Sequence, residues 1–404
     1  MTSNDYVIEV LDSPLDIAAG TWNALLALQD DATPFMRHEY LQAMHQSASA
    51  VPDTGWTPRF ITLWRRQDAD RGGPASAREL QGACAVYLKT HSYGEYVFDH
   101  AWANAYHQHG LPYYPKALIA PPFTPVPGAR LLARDPVARL ALVRAVIEWC
   151  AHADLSSLHI LFASDADLVA CEAAGMMVRH NVQFHWTAPP EGYRDFEDFL
   201  ASLSQDKRKK IRQERRKVAQ AGVGFRHSRG RDIASRDWDF FYRCYERTYY
   251  EHGNAPYLSR TFFQQMARDM PQDWVLFIAQ REGTPIASSL VAINDPEIAP
   301  GAGAVAYGRY WGALERVDCL HFEACYYQPL QWCIDNRFQR FEGGAQGEHK
   351  MARALLPVKT RSAHWLAHPA FADAVQKFLD REGNGIERYI GELEQRNPFK
   401  SASA

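Results

Sequence analysis

The pattern of apolar and polar positions along the chain predicts an order of elements that occurs twice. Residues that alternate between apolar and polar predict strands, and apolar residues three or four positions apart predict helices. In the first half this order starts with a strand at 5–13 and ends with a strand at 182–188. Between them we predict helices around 17–28, 38–46, 136–152 and 165–175, and strands at 58–66, 82–91, 94–100 and 156–164.

The second half repeats this order after Pro189 and Pro190, which predict a linker. The predicted strands are 223–230, 274–283, 285–294, 304–312, 340–344 and 359–367. The predicted helices are 232–252, 259–270 and 319–337, a short one from Glu348 and a last one from Phe371. Each half therefore has the order β-α-α-β-β-β-α-β-α-β, which is typical of a mixed-sheet α/β domain. We predict two domains, residues 1–188 and 189–404.

The composition narrows the class of protein. The chain has 404 residues, of which 47% are hydrophobic and 23% charged, as in ordinary globular proteins. A net charge of -3 argues against a dedicated nucleic-acid-binding protein, although a local basic patch is compatible with it. Seven cysteines without a CxxC pair indicate reduced, buried thiols, and we expect neither disulfides nor a metal site.

The N-terminal residues lack the basic start and apolar core of a signal peptide. No segment approaches the roughly 18 uncharged apolar residues that cross a membrane. We therefore expect a cytoplasmic protein without a transmembrane segment. The oligomeric state cannot be read from the sequence.

Residues 205–218, QDKRKKIRQERRKV, form a basic segment. Eight Lys/Arg lie between 207 and 217, where Glu214 is the only acid. Helical spacing of the apolar residues Leu200, Leu203, Ile211 and Val218 predicts one helix over 195–220. Its charged side is either a solvated helix face or a surface for an anionic partner, such as an RNA backbone, a lipid headgroup surface or a phosphorylated substrate.

Residues 113–132 form a proline-rich segment. Its five prolines predict a stiff loop that is poorly suited to a central strand. The loop is either a rigid connector or a wall of a substrate cleft. In the second case Tyr114, Lys116 and Arg130 are its polar binding groups.

Residues 318–338 predict a buried helix, because they are apolar nearly all round. Asp318 is the expected N-cap, and Pro329 predicts a kink or a local break. Glu323 is a carboxylate among apolar neighbours. Burial raises the pKa of such a group, which suits a general base. The alternative is a glutamate that a buried hydrogen bond or ion pair satisfies.

Neighbours of Glu323 extend this candidate site. Tyr326 and Tyr327 follow at helical spacing and are expected on its face, whereas His321 is expected on another.

The stretch FEGGAQGEHKMARALLPVKTRSAHW, residues 341–365, follows this helix. A strand is expected to end at Gly344, and Gly347 then precedes a helix with Glu348, His349 and Lys350 in its first turn. Free backbone N–H groups at such a turn favour an anion or a developing oxyanion. The stretch is either a polar surface corner or the working edge of an active site. It is not a phosphate-binding P-loop, and its histidines lack a metal-binding spacing.

Three segments resemble the bacterial FemAB-like family assigned to peptidoglycan biosynthesis or recognition: AYGRYWG, LHFEACYY and residues 341–365. The basic segment, the proline-rich segment and YYEHGNAPYL at 249–258 fit the same family, so the resemblance covers most of the chain. It implies two tandem acyl-CoA N-acyltransferase (GNAT-like) domains. It also implies a donor substrate, acyl-CoA or aminoacyl-tRNA, and no permanently bound cofactor.

Two features depart from the related patterns. The segments WGALERVDC and PVPGARLLARDPV do not match the glycine-rich pyrophosphate loop of GNAT enzymes. The basic segment is a single helix, where Fem transferases have a helical hairpin.

We therefore predict an N-acyltransferase that moves an acyl or aminoacyl group to an amine of a small molecule or peptide, such as a peptidoglycan precursor. The basic segment is the expected surface for tRNA or an anionic lipid. The alternative is a non-catalytic module that recognises a cell-wall precursor or another anionic ligand.

The candidate catalytic residues divide by role. Glu323 or Glu348 is the predicted base, with His349 as a further candidate, and backbone N–H groups of 344–347 with Lys350 would stabilise the oxyanion. The residues predicted to bind substrate are Arg309, Tyr310, Trp311, His321, Tyr327, Gln346 and Arg353, together with Tyr114, Lys116 and Arg130.

Overall fold

The computed structural model describes residues 6–65, 78–295, 303–344 and 347–400. Its strands are β1 (Tyr6–Leu11), β2 (Trp56–Arg65), β3 (Leu80–Lys89), β4 (Lys116–Ile119), β5 (Leu132–Ala133), β6 (Ser157–Ile160), β7 (Met177–Thr187), β8 (Val223–Arg229), β9 (Trp274–Arg281), β10 (Thr284–Asn294), β11 (Val305–Ala313), β12 (Arg340–Glu342) and β13 (Leu356–Leu366).

Its α-helices are α1 (Ala19–Leu26), α2 (His38–Gln46), α3 (His100–Gln108), α4 (Pro136–His152), α5 (Asp165–Ala173), α6 (Phe196–Ser202), α7 (Gln205–Gln220), α8 (Ser235–Glu251), α9 (Arg260–Asp269), α10 (Leu320–Phe322), α11 (Gln328–Asp335) and α12 (Pro369–Glu394). A π-helical turn at Glu323–Tyr327 joins α10 to α11, and a 3-10 turn covers Glu348–Arg353. In the described residues, no helix is both long enough and apolar enough to span a membrane.

The chain divides into two compact units, residues 1–181 with 360–386 and residues 182–359 with 387–404. The division predicted at residues 188 and 189 stays a prediction. The first compact unit ends close to that position, and it also takes in the later segment 360–386.

The first unit is built on a mixed sheet. Its strands lie in the order β1-β2-β3-β4-β6, followed by residues 363–366 of β13. Neighbours are antiparallel except for β4 and β6, which are parallel. Helix α4 begins where the Asp135 side chain accepts a hydrogen bond from the backbone N–H of Ala138, with Pro136 in the first turn. Its apolar side, including Leu142 and Val146, completes the core of this unit.

The second unit has a sheet of the same kind. Residues 182–187 of β7 are followed in order by β12, β11, β10, β9 and β8, and only β11 and β12 run parallel. Helix α8 packs closely on β11: a Cβ at Gly312 would lie 1.9 Å from the carbonyl oxygen of Cys244. The predicted α/β architecture with a mixed sheet is therefore present in each unit.

Two predictions in the first half were wrong. Residues 94–99 are not a strand, because Glu95 and Asp99 turn inward to pair with buried Lys116. The proline-rich segment is not only a loop, because β4 lies in it and pairs with both β3 and β6. Pro115 and Pro121 flank this strand, so no proline removes a donor from its ladder.

The single helix predicted over 195–220 is also wrong, because the chain forms α6 and α7 with a break between them. At the break the backbone N–H of Ser204 donates to the carbonyl of Pro398 at 2.9 Å. The N–H of Lys400 donates to the carbonyl of Ser202 at 3.0 Å. Residues 398–400 thus take hydrogen bonds that a continuous helix would make within itself.

Candidate active site

The candidate site lies where the two parallel strands of the second unit separate. Strands β11 and β12 pair at only three positions, residues 305–307 with 340–342. A cavity of about 150 Å³ opens beyond them, between residues 308–311 on one side and 343–344 on the other. Along this stretch β11 has no ladder partner on the β12 side among the described residues.

A β-bulge in β11 forms part of the cavity wall. The register with β10 shifts where Leu290 faces Tyr310 and the next residue faces Gly308, so that Arg309 is the extra residue. Bulges redirect a side chain and its peptide, and they are frequent beside active sites. Arg309, Tyr310 and Trp311 all line the cavity. Three residues predicted to bind substrate thus share one site.

The opposite wall comes from the segment that was predicted as one helix over 319–337. It is broken near Pro329, as the sequence predicts: α10 leads into the π turn, and Pro329 lies in the first turn of α11. The predicted N-cap was wrong, because Cys319, with φ +65°, precedes α10. The Asp318 carboxylate lies instead 3.9 Å from the Lys217 ammonium. His321, near the start of this segment, lines the cavity.

The π turn decides which groups reach Glu323. Its Oε1 accepts hydrogen bonds from Gln328 Nε2 at 2.7 Å and from Arg215 Nε at 3.1 Å. A π turn brings the residue five positions on, rather than four, to the same side, so Gln328 takes the place expected for Tyr327. Burial raises the pKa of Glu323, and the bonded cation and amide oppose that shift. This geometry matches the alternative in which an ion pair satisfies the glutamate.

Tyr326, a residue of the cavity wall, is paired with His349. The Tyr326 hydroxyl lies 3.2 Å from His349 Nε2, and Tyr326 lines the cavity. Desolvation and the nearby cations Arg353 and Lys350 hold the pKa of His349 below its usual value. Burial raises the pKa of Tyr326. At neutral pH the pair is therefore a neutral imidazole against a neutral phenol.

Gly347 allows His349 to take this position. Its φ of +120° is a conformation that L side chains rarely adopt. A Cβ at this residue would lie 2.4 Å from the His349 ring. The backbone conformation therefore favours the glycine predicted at the start of this turn, and the His349 ring lies directly beside it.

Lys350 is a buried cation at the edge of the cavity. Its side chain donates a 2.8 Å hydrogen bond to the carbonyl of Gly344, a residue of the cavity wall. Burial lowers the pKa of Lys350 to about 8. Across the described ranges of the chain no carboxylate lies within ion-pair distance of it. A buried charge without a counterion is costly, which is typical of a group that meets an anion during function.

The other predicted residues of the 341–365 stretch lie elsewhere. Glu348 is exposed and accepts hydrogen bonds from the Tyr389 hydroxyl at 2.7 Å and from Arg396 at 3.3 Å, so it does not line the cavity. Gln346 lies outside the described residues. Arg353 is buried and donates to the His349 carbonyl at 2.7 Å.

Two residues of the site were not singled out from the sequence, Glu214 and Arg215 of α7. Glu214 accepts hydrogen bonds from Arg353 and from the Tyr327 hydroxyl, so two predicted substrate-binding residues are occupied by one carboxylate. Arg215 is the partner of Glu323. The signal that the sequence offered was a single acid inside a run of cations.

The three predicted binding residues of the proline-rich segment belong to the first unit and have protein partners there. Lys116 is fully buried between Glu95 and Asp99. Arg130 is fully buried and donates to backbone carbonyls, among them that of Leu161 at 2.9 Å. The Tyr114 hydroxyl lies 2.8 Å from that of Ser92. In this unit these side chains hold the loop in place.

The described residues contain no group of three or more His, Cys, Asp or Glu side chains arranged to hold a metal ion. All seven cysteines are free thiols.

Comparison with known proteins identifies the family. The sequence matches the FemAB-like family profile, described as peptidoglycan biosynthesis/recognition, over residues 13–401. The chain belongs to the FemAB-like family. No curated protein matches it.

The structure is similar to solved structures. FemX aligns with a TM-score of 0.52 at 11% identity, over 91% of this chain and all (100%) of FemX. The C-terminal domain (DUF2156) of a putative lysylphosphatidylglycerol synthetase from Agrobacterium fabrum aligns with a TM-score of 0.50 at 9% identity, over 88% of this chain and 94% of that one.

A third similar structure is a tandem GNAT protein from the clavulanic acid biosynthesis pathway. It is 13% identical and has a TM-score of 0.42 over 90% of this chain and 99% of that one. The predicted α/β fold with a mixed sheet is confirmed, and FemX shares that fold.

Proposed function

We propose that the second unit catalyses transfer of an acyl or aminoacyl group to an amine in the cavity between β11 and β12. The observation that carries this proposal is the Tyr326–His349 pair: Tyr326 lines that cavity opposite residues 308–311 of β11, and its hydroxyl lies 3.2 Å from His349 Nε2. Acyl transfer needs a carbonyl site and a route for one proton, and both meet here.

The proton route runs through the pair. The amine nitrogen attacks the carbonyl carbon of the donor ester, a C–N bond forms, and the bond to the leaving sulfur or oxygen breaks. Neutral His349 accepts the amine proton through the Tyr326 hydroxyl, and the same hydroxyl returns a proton to the leaving group. The lowered pKa of His349 keeps its imidazole able to accept a proton at neutral pH.

Lys350 is the proposed stabiliser of the oxyanion. Its ammonium is buried beside the Gly344 carbonyl, and backbone N–H groups of the cavity wall are proposed as further donors. A buried cation acts more strongly on a developing charge than an exposed one does, because little water screens it. Arg309, Tyr310, Trp311 and His321 would bind the substrates around it.

The substrates are proposed from the family and from α7. The family description favours a peptidoglycan-precursor-like peptide as the amine acceptor. Lys209, Lys210 and Arg216 are exposed on α7 and are the proposed contacts to a polyanionic donor such as aminoacyl-tRNA, or to an anionic lipid surface. Acyl-CoA is the other candidate donor. We propose that the reaction takes place in the cytoplasm, without a resident cofactor.

The test measures turnover with the purified full chain. An acyl-CoA series and aminoacyl-tRNA are each incubated with an amine-bearing precursor peptide, and the product is detected by mass spectrometry. Wild type and the E348Q variant should form the amide, because Glu348 lies off the cavity, whereas Y326F and H349Q should be impaired. A protein that binds the peptide but forms no amide with any donor would be the non-catalytic recognition module instead.

A further inference from the structure

The inner face of α7 is joined to the site described above by two adjacent residues of opposite charge. Glu214 pairs with Arg353 of the 3-10 turn at 2.9 Å, with exposed side-chain fractions of 11% and 2%. Arg215 pairs with Glu323 of the π turn at 3.1 Å. Neighbouring cations of the same helix, such as Lys209, are exposed. The basic segment therefore has an outer face toward solvent and an inner face toward the site.

Glu214 contacts both short elements that carry the Tyr326–His349 pair. Its Oε2 accepts a hydrogen bond from the hydroxyl of Tyr327, the residue next to Tyr326 in the π turn. Both of its oxygens accept from Arg353 Nη2, at 3.0 and 2.9 Å. Arg353 Nη1 in turn donates to the carbonyl of His349 at 2.7 Å. The Glu214 carboxylate thus connects the π turn, which carries Tyr326, with the 3-10 turn, which carries His349.

Arg353 is held on a third side by an aromatic ring. Its guanidinium carbon lies 3.4 Å from the centroid of Phe322, directly before the π turn. A movement of Arg353 would therefore break its contacts with the Glu214 carboxylate, the His349 carbonyl and the Phe322 ring. Short 3-10 and π turns have poor hydrogen-bond geometry of their own. Their relative position must therefore come from such tertiary contacts.

Arg215 fixes the other end of the π turn. Besides Glu323, it donates to Gln331 Oε1 of α11 at 3.0 Å, and its guanidinium carbon lies 4.6 Å from the ring centroid of Phe196. The segment that carries Tyr326 is thus tied to α7 at Glu323, at Tyr327 and at Gln331.

We propose that Glu214 is a positioning residue for acyl transfer: by binding Arg353 and Tyr327 together, it sets the distance between the Tyr326 hydroxyl and the His349 imidazole, with Arg215 supporting it through Glu323. This inference rests on the proposed function for its catalytic consequence. Its structural consequence, the coupling of the two turns, is independent of turnover. Glu214 touches neither the cavity nor the reacting groups and acts through its partners.

Removing the Glu214 charge should change the pKa of His349. The charged groups around this imidazole are Arg353 and Lys350 of its own turn, with His321 and Tyr326 facing it from the α10–π segment. In E214Q the Arg353 charge loses its counterion and opposes protonation of His349 more strongly. The pKa of His349 should therefore fall further in E214Q, and E214D, which keeps the charge, should resemble wild type.

The experiment uses the full chain as wild type and as three variants: E214Q, E214D and the matched control K209Q, which removes one charge from the exposed face of the same helix. NMR titration of labelled histidines gives the pKa of His349. Iodoacetamide modification, followed by peptide mass spectrometry, gives the alkylation rates of half-buried Cys325 in the cavity wall and of fully buried Cys333. Steady-state kinetics give kcat and KM for amide formation.

In E214Q we expect a lower pKa of His349, Cys325 alkylation about tenfold faster with Cys333 unchanged, and kcat about 10–100-fold lower with KM within about twofold. K209Q should match wild type in pKa and alkylation. A wild-type pKa and wild-type Cys325 reactivity in E214Q would overturn the proposal, as would equal acceleration at Cys333, which signals general unfolding. If wild type itself forms no amide, the proposed function fails, while the pKa and alkylation results still decide the positioning role.

Discussion

The hydroxyl of Tyr326 lies 3.2 Å from Nε2 of His349, although neither residue belongs to a regular α-helix or strand. Tyr326 is in a π turn and His349 in a 3-10 turn. These turns are short, and the contacts that place them come from α7 and from Gly347. The pair therefore depends on residues that take no part in the chemistry.

Removal of either member of this pair should slow amide formation without unfolding the protein. Y326F deletes the hydroxyl that links the imidazole to the cavity, and H349Q deletes the proton acceptor. General acid–base groups typically contribute about 10²–10⁴-fold to rate, so we expect kcat losses of that order. Steady-state kinetics measure the effect, and circular dichroism checks the fold. Wild-type kcat in both variants would contradict the assignment.

The rate should depend on pH through His349 and Lys350. Because the pKa of His349 is lowered, its imidazole stays neutral at mildly acidic pH, and the rate falls only when that lowered value is reached. The pKa of Lys350 is about 8, so its ammonium charge, and with it the rate, is lost as pH rises through about 8. The pH profile of kcat tests both limbs.

The K350R variant separates the basic limb from other ionisations. A guanidinium stays charged throughout this range, so the decline near pH 8 should disappear even if the maximum rate is lower. A basic limb that persists unchanged in K350R would assign it to another group.

The contact between α8 and β11 should be intolerant of any added atom. G312A places a Cβ 1.9 Å from the carbonyl oxygen of Cys244, which is backbone and cannot rotate away. Overpacking of this kind typically costs about 1–3 kcal/mol, occasionally more. The control is G224A in β8, where nothing lies within 4 Å of the new Cβ. Urea unfolding should show a loss of stability in G312A and none in G224A; equal midpoints would refute the close packing.

The buried cation of the first unit should matter more for stability than any exposed one. K116M leaves Glu95 and Asp99 buried without their cation, a change that typically costs about 3–5 kcal/mol. R78Q removes the partner of Glu9 in an exposed pair and should cost less than about 1 kcal/mol. Thermal and urea unfolding of both variants test the contrast, which a small effect of K116M would contradict.

Periodicity predicted the order of the elements because amphipathic spacing is a local property. It failed where distant residues decide the structure. The break between α6 and α7 depends on residues 398–400, and the loss of the strand at 94–100 depends on Lys116. Both partners are far away in sequence, and no pattern at the affected segment announces them.

The candidate site was predicted only in part, because local patterns do not show contacts with distant residues. The stretch around Gly347, His349 and Lys350 stood out, because its chemistry is varied within a few residues. The sequence left two alternatives for Glu323, a general base or a glutamate satisfied by a buried hydrogen bond or ion pair, because a lone acid in an apolar helix does not reveal its partner. Arg215 supplies the missing charge from a helix more than a hundred positions away in the chain. The sequence alone did not show that Arg215, one cation in a basic segment, lies on the inner face of α7 rather than on the exposed face.

The hydrogen bonds between residues 202–204 and 398–400 also set an order of events during synthesis. Residue 400 follows residue 202 by 198 positions, which a ribosome translates in roughly 10–40 s. Throughout this interval the start of α7 lacks the strand-like contact that separates it from α6. The hydrogen bonds that separate α6 from α7 can therefore form only after residue 400 has been synthesised.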